Sequence, residues 1–167
     1  TYHQGPRYAD QSDYTAAMPN EHAYCGAVEA IAGIEVPRRA EFLRVIVDEL
    51  SRSAGHLVWL GTYGLDVGAT TPMLWCFRDR EQILDMIEEL CGSRMNHNYY
   101  RPGGLLYDLP PGLLGKLSRF LDRWEKAIDQ DYREILEGNE IFLERTVGVG
   151  VIPRAVALQY GITGPIA

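Results

Sequence analysis

Apolar residues recur at helical spacing over most of this chain, and the runs are broken at proline and glycine. The first nineteen residues, with Gly5-Pro6, Asp10 and Pro19, read as an extended or loop lead-in. A first helix is expected next, with Asn20 as N-cap, Glu21 in its first turn and Gly33 ending it. Pro37 then opens a longer pattern in which Phe42, Ile46, Leu50, Ser53, Leu57 and Leu60 follow the 3.6-residue period. Carried to Asp66, that pattern is one helix of about thirty residues, ~45 Å long. Its first half is charged on the outer faces (Arg38, Arg39, Glu41, Arg44, Asp48, Glu49, Arg52). The second half is apolar all round, which predicts passage through the middle of the protein. A third helix is predicted from Pro72 to about Leu90, stopping at Gly92, with Met73, Phe77, Ile83, Leu84, Ile87 and Leu90 apolar. Arg101-Pro102-Gly103-Gly104 and Leu109-Pro110-Pro111-Gly112 bound a loop. A fourth helix uses Leu113, Leu117, Phe120, Leu121, Trp124, Ile128, Ile135 and Leu136 before Gly138. Gly148 to Pro153 reads as a short extended piece, followed by a short helix to Tyr160. The class is mainly α, a helical bundle around one long central helix. The organisation is a single domain over 1–167: a lead-in at 1–19, a helical core at 20–138 and a short C-terminal segment at 139–167.

Composition narrows this little. With 167 residues, 46% hydrophobic and 23% charged, the chain has the makeup of a folded globular domain, not of a disordered one. Sixteen Lys+Arg against 23 Asp+Glu, with no basic stripe interleaved with aromatics, argues against a nucleic-acid partner. Cys25, Cys76 and Cys91 form no CxxC, so neither a disulfide framework nor a cysteine metal site is expected, and a reducing compartment fits. A start at Thr1 without Met and an end just after a Gly-Pro read as a piece of something longer. Leu57 to Phe77 approaches the ~20 apolar residues a membrane helix needs. Its three glycines, its threonines, Pro72 and Asp66 instead favour a buried helix of a water-soluble protein.

Asp66 is the only charge in that run. A carboxylate moved from water into apolar surroundings is strongly destabilised, so it finds a donor or takes up a proton. Asp66 is therefore the first candidate for proton handling. At helical spacing Trp59, Thr62, Tyr63, Asp66 and Thr70 share one face, while Gly61, Gly64 and Gly68 mark another where a backbone or ligand can approach closely. The GxG within Gly148–Pro153 lacks a third glycine and a preceding strand, which argues against a dinucleotide fold. Ser51, His56 and Asp66 do not converge on one helix face, so no triad is read; His56 is expected to be a satisfied core histidine. Arg78-Asp79-Arg80-Glu81 reads as a solvated helix face. The segment Arg94 to Arg101 concentrates two arginines, an imidazole, two amides and two phenols, suiting either a loop anchor or the lining of a redox or anion site. Tyr14 presents an O–H donor on an apolar body, suited to a quinone carbonyl or simply to packing.

Several motifs in order, Asp13-Tyr14, Ala27-Val28-Glu29, Val36-Pro37-Arg38-Arg39-Ala40, Arg44-Val45-Ile46, Glu49-Leu50-Ser51-Arg52 and His56-Leu57-Val58-Trp59-Leu60-Gly61, resemble the family of the quinone-pocket subunit, lettered D, of respiratory complex I. The match continues through Asp66-Val67-Gly68-Ala69, Thr71-Pro72, Phe77-Arg78-Asp79-Arg80-Glu81, Arg101-Pro102-Gly103-Gly104, Asp108-Leu109-Pro110 and Gly148-Val149-Gly150. That family is similar to the large subunit of nickel-iron hydrogenases but lacks its metal-binding cysteine pairs. The resemblance therefore implies the central fragment of a nickel-iron hydrogenase large-subunit-like fold.

It further implies a subunit of a proton-translocating NADH:quinone oxidoreductase. Together with the neighbouring subunit, lettered B, such a chain forms the pocket where quinone takes electrons from the last iron-sulfur cluster, which the neighbour holds. Quinone is the substrate, and no metal, flavin, cluster or nicotinamide (NAD) site is expected in this chain, whose isolated form is expected to be inactive. The implied partners are other complex I subunits, those lettered B, C and I and the membrane one lettered H. The implied place is the peripheral arm on the cytoplasmic side of the membrane, without a span of its own. Tyr14 matches the family's quinone-binding tyrosine and Asp66 the aspartate paired with a histidine of an N-terminal loop outside this sequence; Thr62, one turn before Asp66, is a weaker pocket candidate. Quinone reduction consumes two protons, and an Asp–His pair is able to relay one.

Gln11 replaces a common arginine and Asn96 a common histidine, with His97 following; these positions and Arg94 lie near the terminal cluster in the family. Loss of a cation and a titrating imidazole predicts a lower cluster potential with weaker pH dependence, suited to menaquinone. A high, steeply pH-dependent midpoint in a redox titration of the complex excludes that reading. Rival expectations are the equivalent subunit of a complex fed by reduced F420 or ferredoxin, a membrane-bound hydrogenase relative, and a non-catalytic helical scaffold.

Overall fold

The helical periodicity folds, as expected, into a mainly α structure built on one long helix. The computed structural model describes residues 1–164. A short 3-10 turn at Tyr2–Gln4 and helix α1 (Pro6–Ala9) lead into α2 (Ala17–Ala32), α3 (Arg38–Asp66) and α4 (Thr70–Cys91). A two-stranded antiparallel ribbon, β1 (Tyr100–Arg101) and β2 (Gly104–Leu105), pairs Tyr100 with Leu105 and Arg101 with Gly104. Then come α5 (Leu113–Ala127), a π turn (Ile128–Tyr132), α6 (Arg133–Glu137), α7 (Glu140–Thr146) and α8 (Arg154–Gln159).

The 29 residues of α3 form one unbroken helix from the Pro37 N-cap, ~43 Å long. Val67–Ala69 turns the chain, and α4 returns antiparallel along α3. The two helices approach closely because α3 offers glycine: a Cβ at Gly61 would lie 3.2 Å from the Met73 Cα and the Cys76 Cβ, and one at Gly64 3.2 Å from Pro72. The buried stripe of α3 is Leu43, Val47, Leu50, Ala54, Leu57, Gly61 and Gly64, with Arg44 and Ser51 beside it. It is therefore rotated from the expected stripe; Phe42 is exposed and lies under the Arg38 guanidinium. Small residues decide that rotation, because the face that lets a second helix closest gains the most contact. The second half of α3 is buried on this face alone. Trp59 (59% exposed), Tyr63 (38%) and Leu65 (42%) face outward, contrary to the expected passage through the interior.

Met18, Cys25, Val47, Leu57, Ile83, Ile87, Leu90, Tyr99, Tyr100 and Phe120 lie in the core. The lead-in is partly helical instead of extended, and α2 begins a turn before Asn20, at Ala17. Pro19 is tolerated there because the first turn of a helix has no intrahelical use for its missing N–H. Gly33 ends α2 as expected, in the left-handed region at φ 65° that few other residues adopt without strain. Residues Gly148 to Pro153 form neither helix nor strand, and α8 follows.

The predicted fourth helix is interrupted by the π turn, which turns Tyr132 inward. Its Oη donates to the Asp79 carboxylate at 2.7 Å, which also accepts from Arg78 (3.1 Å) and Arg123 (3.0 Å). Asp79 is fully buried, so Arg78–Glu81 is not a wholly solvated face. Burial raises the Asp79 pKa, but the three donors outweigh it and hold the carboxyl below its ordinary value.

Candidate functional site

Tyr14 sits on a tight turn made by its neighbours. Asp13 Oδ1 accepts from the Thr15 N–H (2.9 Å) and the Thr15 hydroxyl (2.7 Å), and the Ala16 N–H closes on the Asp13 carbonyl at 3.0 Å. These bonds from Thr15 hold the Asp13 pKa low. The turn leaves the Tyr14 ring 68% exposed. It crosses α3 at Gly55, where an added Cβ would meet the Thr15 carbonyl oxygen at 3.2 Å. Gly55 is thus the saddle on which the tyrosine turn rests.

Helical geometry then relates the other candidates to Tyr14. Positions seven and eleven residues beyond Gly55 are Thr62 and Asp66, and both return to within about 20° of its direction on a helix of 100° per residue. The strip from the saddle to Asp66 spans about 16 Å of helix axis. Trp59 and Tyr63 flank it, with ring centroids 6.0 Å apart and planes at 14°, and Phe142 of α7 meets Tyr63 edge-on at 6.0 Å. The Thr62 hydroxyl is turned back on its own helix, shared between the Val58 and Trp59 carbonyls (2.8 and 3.1 Å).

Asp66 is exposed at the last position of α3, which corrects the expectation of a carboxylate in apolar surroundings. The physical reason is one-sided burial: α4 covers the glycine face and leaves the face of Thr62 and Asp66 open. Arg145 secures the adjoining turn by donating to the Val67 carbonyl. His56 is likewise exposed, so it is not a core histidine.

The second candidate group sits on the loop after α4. Arg94 donates to Asp85 (2.8 Å), Glu88 (3.0 Å) and Glu81, all on α4, which is the anchoring role left open by sequence. Those carboxylates raise its pKa. Asn96 and Asn98 take left-handed backbone conformations (φ 54° and 48°), and the Asn96 Oδ1 is buried without a partner. His97 is buried, its Nδ1 3.3 Å from the Ser93 carbonyl; burial, then the charge of Arg80, pushes its pKa down and favours the neutral ring. Gln11 is exposed and donates to the Arg7 carbonyl at 3.0 Å. It follows Asp10, whose Oδ2 accepts the Asn98 N–H at 3.2 Å, so Gln11 and the Asn96–Asn98 loop share one region.

Several buried ionic groups escaped the sequence reading. Glu29 and Arg44 form a bidentate pair (2.6 and 3.0 Å), and Arg44 also holds the Arg101 and Gly104 carbonyls at the ribbon ends. Arg44 lowers the Glu29 pKa, against burial, which raises it, and with help from the Gly103 N–H. Glu21 and Asp10 are fully buried without any ion pair among the described residues. The signal was present: Met18, Glu21, Cys25 and Glu29 recur at helical spacing, so two acids occupy core positions of α2.

Among the described residues no group of three His, Cys, Asp or Glu side chains is placed to hold a metal, and no helix is long and apolar enough to cross a membrane.

Residues 66–167 match the family described as the respiratory-chain NADH dehydrogenase 49 kDa subunit. The chain is 50% identical over 165 residues to the NADH-quinone oxidoreductase subunit lettered D of Clostridium beijerinckii, covering 99% of this chain and 44% of that protein. It is 49% identical over 160 residues to the same subunit of Chlorobium phaeovibrioides (95% and 40% covered) and 46% identical over 157 to that of Geobacillus kaustophilus (94% and 42%). The chain thus spans about two fifths of the length of these relatives. The chain belongs to the family of the 49 kDa subunit of respiratory-chain NADH dehydrogenase, the subunit lettered D in bacterial NADH-quinone oxidoreductases.

Proposed function

We propose that this chain supplies one wall of the quinone-reduction site of an NADH-quinone oxidoreductase, with Tyr14 binding the quinone and Asp66 delivering a proton. The observation that carries the reading is the alignment of the Tyr14 turn, Thr62 and Asp66 along one open strip of α3. An exposed phenol and carboxylate on a half-apolar face have the makings of a cleft completed by another surface, here that of the neighbouring cluster-bearing subunit. Covering that face removes water, which strengthens both a phenol–carbonyl hydrogen bond and the proton affinity of a carboxylate.

The chemistry follows from the side chains. Reduction of a quinone by two electrons, supplied from the neighbouring subunit, builds negative charge on its carbonyl oxygens. The Tyr14 O–H donates to one of them and orients the ring, and Trp59 and Tyr63 provide apolar area beside it. Asp66, paired with a histidine as the family resemblance implies, passes a proton toward the reduced ring. Gln11 and Asn96 are uncharged, burial pushes the His97 pKa down and Arg94 is taken up by three carboxylates; Arg80, in no ion pair among the described residues, is the cation left beside His97. That balance accords with a low, weakly pH-dependent potential of the adjacent cluster.

Asp66→Asn and Tyr14→Phe in the assembled complex test the reading. Loss of a general acid lowers quinone reduction by about 10²-fold or more. Loss of the phenol hydrogen bond raises the KM for quinone by about 5–10-fold. Electron input to an artificial acceptor stays unchanged in both. Unaltered quinone kinetics in both variants supports the scaffold instead.

A further inference from the structure

Two carboxyl groups stand at the two ends of the segment that carries Tyr14. Asp10 ends α1 and Glu21 lies in the second turn of α2, and neither exposes any surface. Both reach the same stretch of backbone: Asp10 Oδ2 accepts the Asn98 N–H at 3.2 Å, and Glu21 Oε2 accepts the Tyr99 and Tyr100 N–H groups at 2.7 and 2.8 Å. Three consecutive amides are thus taken by two acids. The other oxygen of each acid, Asp10 Oδ1 and Glu21 Oε1, is buried and has no partner.

A carboxylate with two free lone pairs in a water-excluded site is costly, and two that bind the same three-residue stretch of backbone repel each other. One proton relieves the repulsion and removes the charge from one of the two orphaned oxygens. The surroundings supply no alternative. Glu21 is faced by Asp10, by the thiols of Cys25 and Cys91 and by the Tyr100 phenol. The nearby Arg44 is engaged by Glu29, and Arg101 by the Asn98 and Tyr100 carbonyls. Arg7 acts on Asp10 at a distance only. Burial pushes the Glu21 carboxyl up to about 7, against the pull of the Tyr100 and Tyr99 amides and with a further push from Asp10; burial also raises Asp10.

We propose that Asp10 and Glu21 share one proton and, by clamping the Asn98–Tyr100 backbone from both ends of the Tyr14 turn, act as positioning residues for that tyrosine. The link to quinone rests on the function proposed above; the shared proton does not. With the proton in place, the ten-residue segment from Gln11 to Asn20 is pinned at both ends to the loop bearing Asn96 and His97. As pH rises past neutrality a second negative charge enters the pair and the clamp weakens.

Hydrogen–deuterium exchange of the assembled complex tests this, followed for the peptides spanning 93–101 and 11–20 and corrected for the intrinsic pH dependence of exchange. Between about pH 6 and pH 8.5 both peptides are expected to lose protection together, by about tenfold or more, since tenfold corresponds to one pKa unit. Glu21→Gln, which stays uncharged at every pH as the protonated acid is, is expected to keep both peptides protected across that range. Protection in the wild type that does not change with pH overturns the shared proton, and needs no variant to fold. Loss confined to 93–101 overturns the positioning of Tyr14. The quinone reading stands or falls separately, on the KM of Tyr14→Phe at one fixed pH.

Discussion

Arg44→Met isolates the energetics of the ion pair that locks α2, α3 and the ribbon. The guanidinium makes four hydrogen bonds, two to Glu29 and one each to the Arg101 and Gly104 carbonyls, while Glu29 also accepts the Gly103 N–H at 2.7 Å. The side chains of Arg44 and Glu29 are 3% and 8% exposed, so solvent screens the pair little. Methionine fills most of the volume but leaves a buried carboxylate facing apolar atoms, which costs about 3–5 kcal/mol. For a chain of this size that is a fall in Tm of roughly 6–20 °C. The double variant Arg44→Met/Glu29→Met removes the orphaned charge and is expected to recover at least half of the loss. The pH dependence has a definite sign. Arg44 depresses the Glu29 pKa, so the wild-type contribution is fully present above the ordinary value of 4.5 and is lost as pH falls through the depressed one. In Arg44→Met the carboxyl instead gains by protonation, and the stability gap to the wild type narrows on acidification. Urea unfolding of the full-length subunit, followed by tryptophan fluorescence, measures the free-energy changes, and thermal unfolding measures the shift in Tm. A single variant costing under about 1 kcal/mol, or a double variant no better than the single, refutes the reasoning.

Two further outcomes follow from the packing. Tyr132→Phe removes the one neutral donor to buried Asp79 while preserving the ring, and is expected to cost about 1.5–3 kcal/mol in the same unfolding assay; Arg78 and Arg123, each nearly half exposed, compensate incompletely. Gly61→Val drives a branched side chain into Met73 and Cys76 across the α3–α4 contact, and is expected to destabilise by about 1–3 kcal/mol, whereas Gly26→Ala, with open space around its Cα, leaves stability unchanged or raises it.

Much of the architecture was legible because it depends on local chemistry. Pro37, Gly33 and Gly92 mark helix ends through backbone restrictions that act within a residue or two, and the long α3 follows from an uninterrupted period. What escaped depends on partners distant in sequence. Which side of α3 is buried was decided by α4 seeking Gly61 and Gly64, not by the bulk of Phe42. Asp79 looked solvated among charged neighbours, yet it falls in the helical series Cys76, Asp79, Ile83, and two of its three donors, Arg123 and Tyr132, come from more than forty positions away. Asp66 illustrates the opposite error: apolar neighbours in sequence implied burial, but a helix apolar on every side is covered only where another element lies against it. Asp66 was singled out by its lone charge in an apolar run, while the choice of Tyr14 and Thr62 came from the family resemblance, and their common strip on α3 emerged only when the Gly55 saddle fixed the position of the Tyr14 turn.

The unbroken course of α3 also makes it a lever. Its fulcrum is the Glu29–Arg44 lock at the ribbon, and the arm from Arg44 to Asp66 is about 33 Å of helix without proline, bulge or hinge. Treated as a rigid rod, it displaces its far end by about 3 Å for each 5° of tilt at the fulcrum. A small adjustment where the ribbon seats is therefore magnified at the end that presents Thr62 and Asp66, and a perturbation there is returned to the ribbon with mechanical advantage.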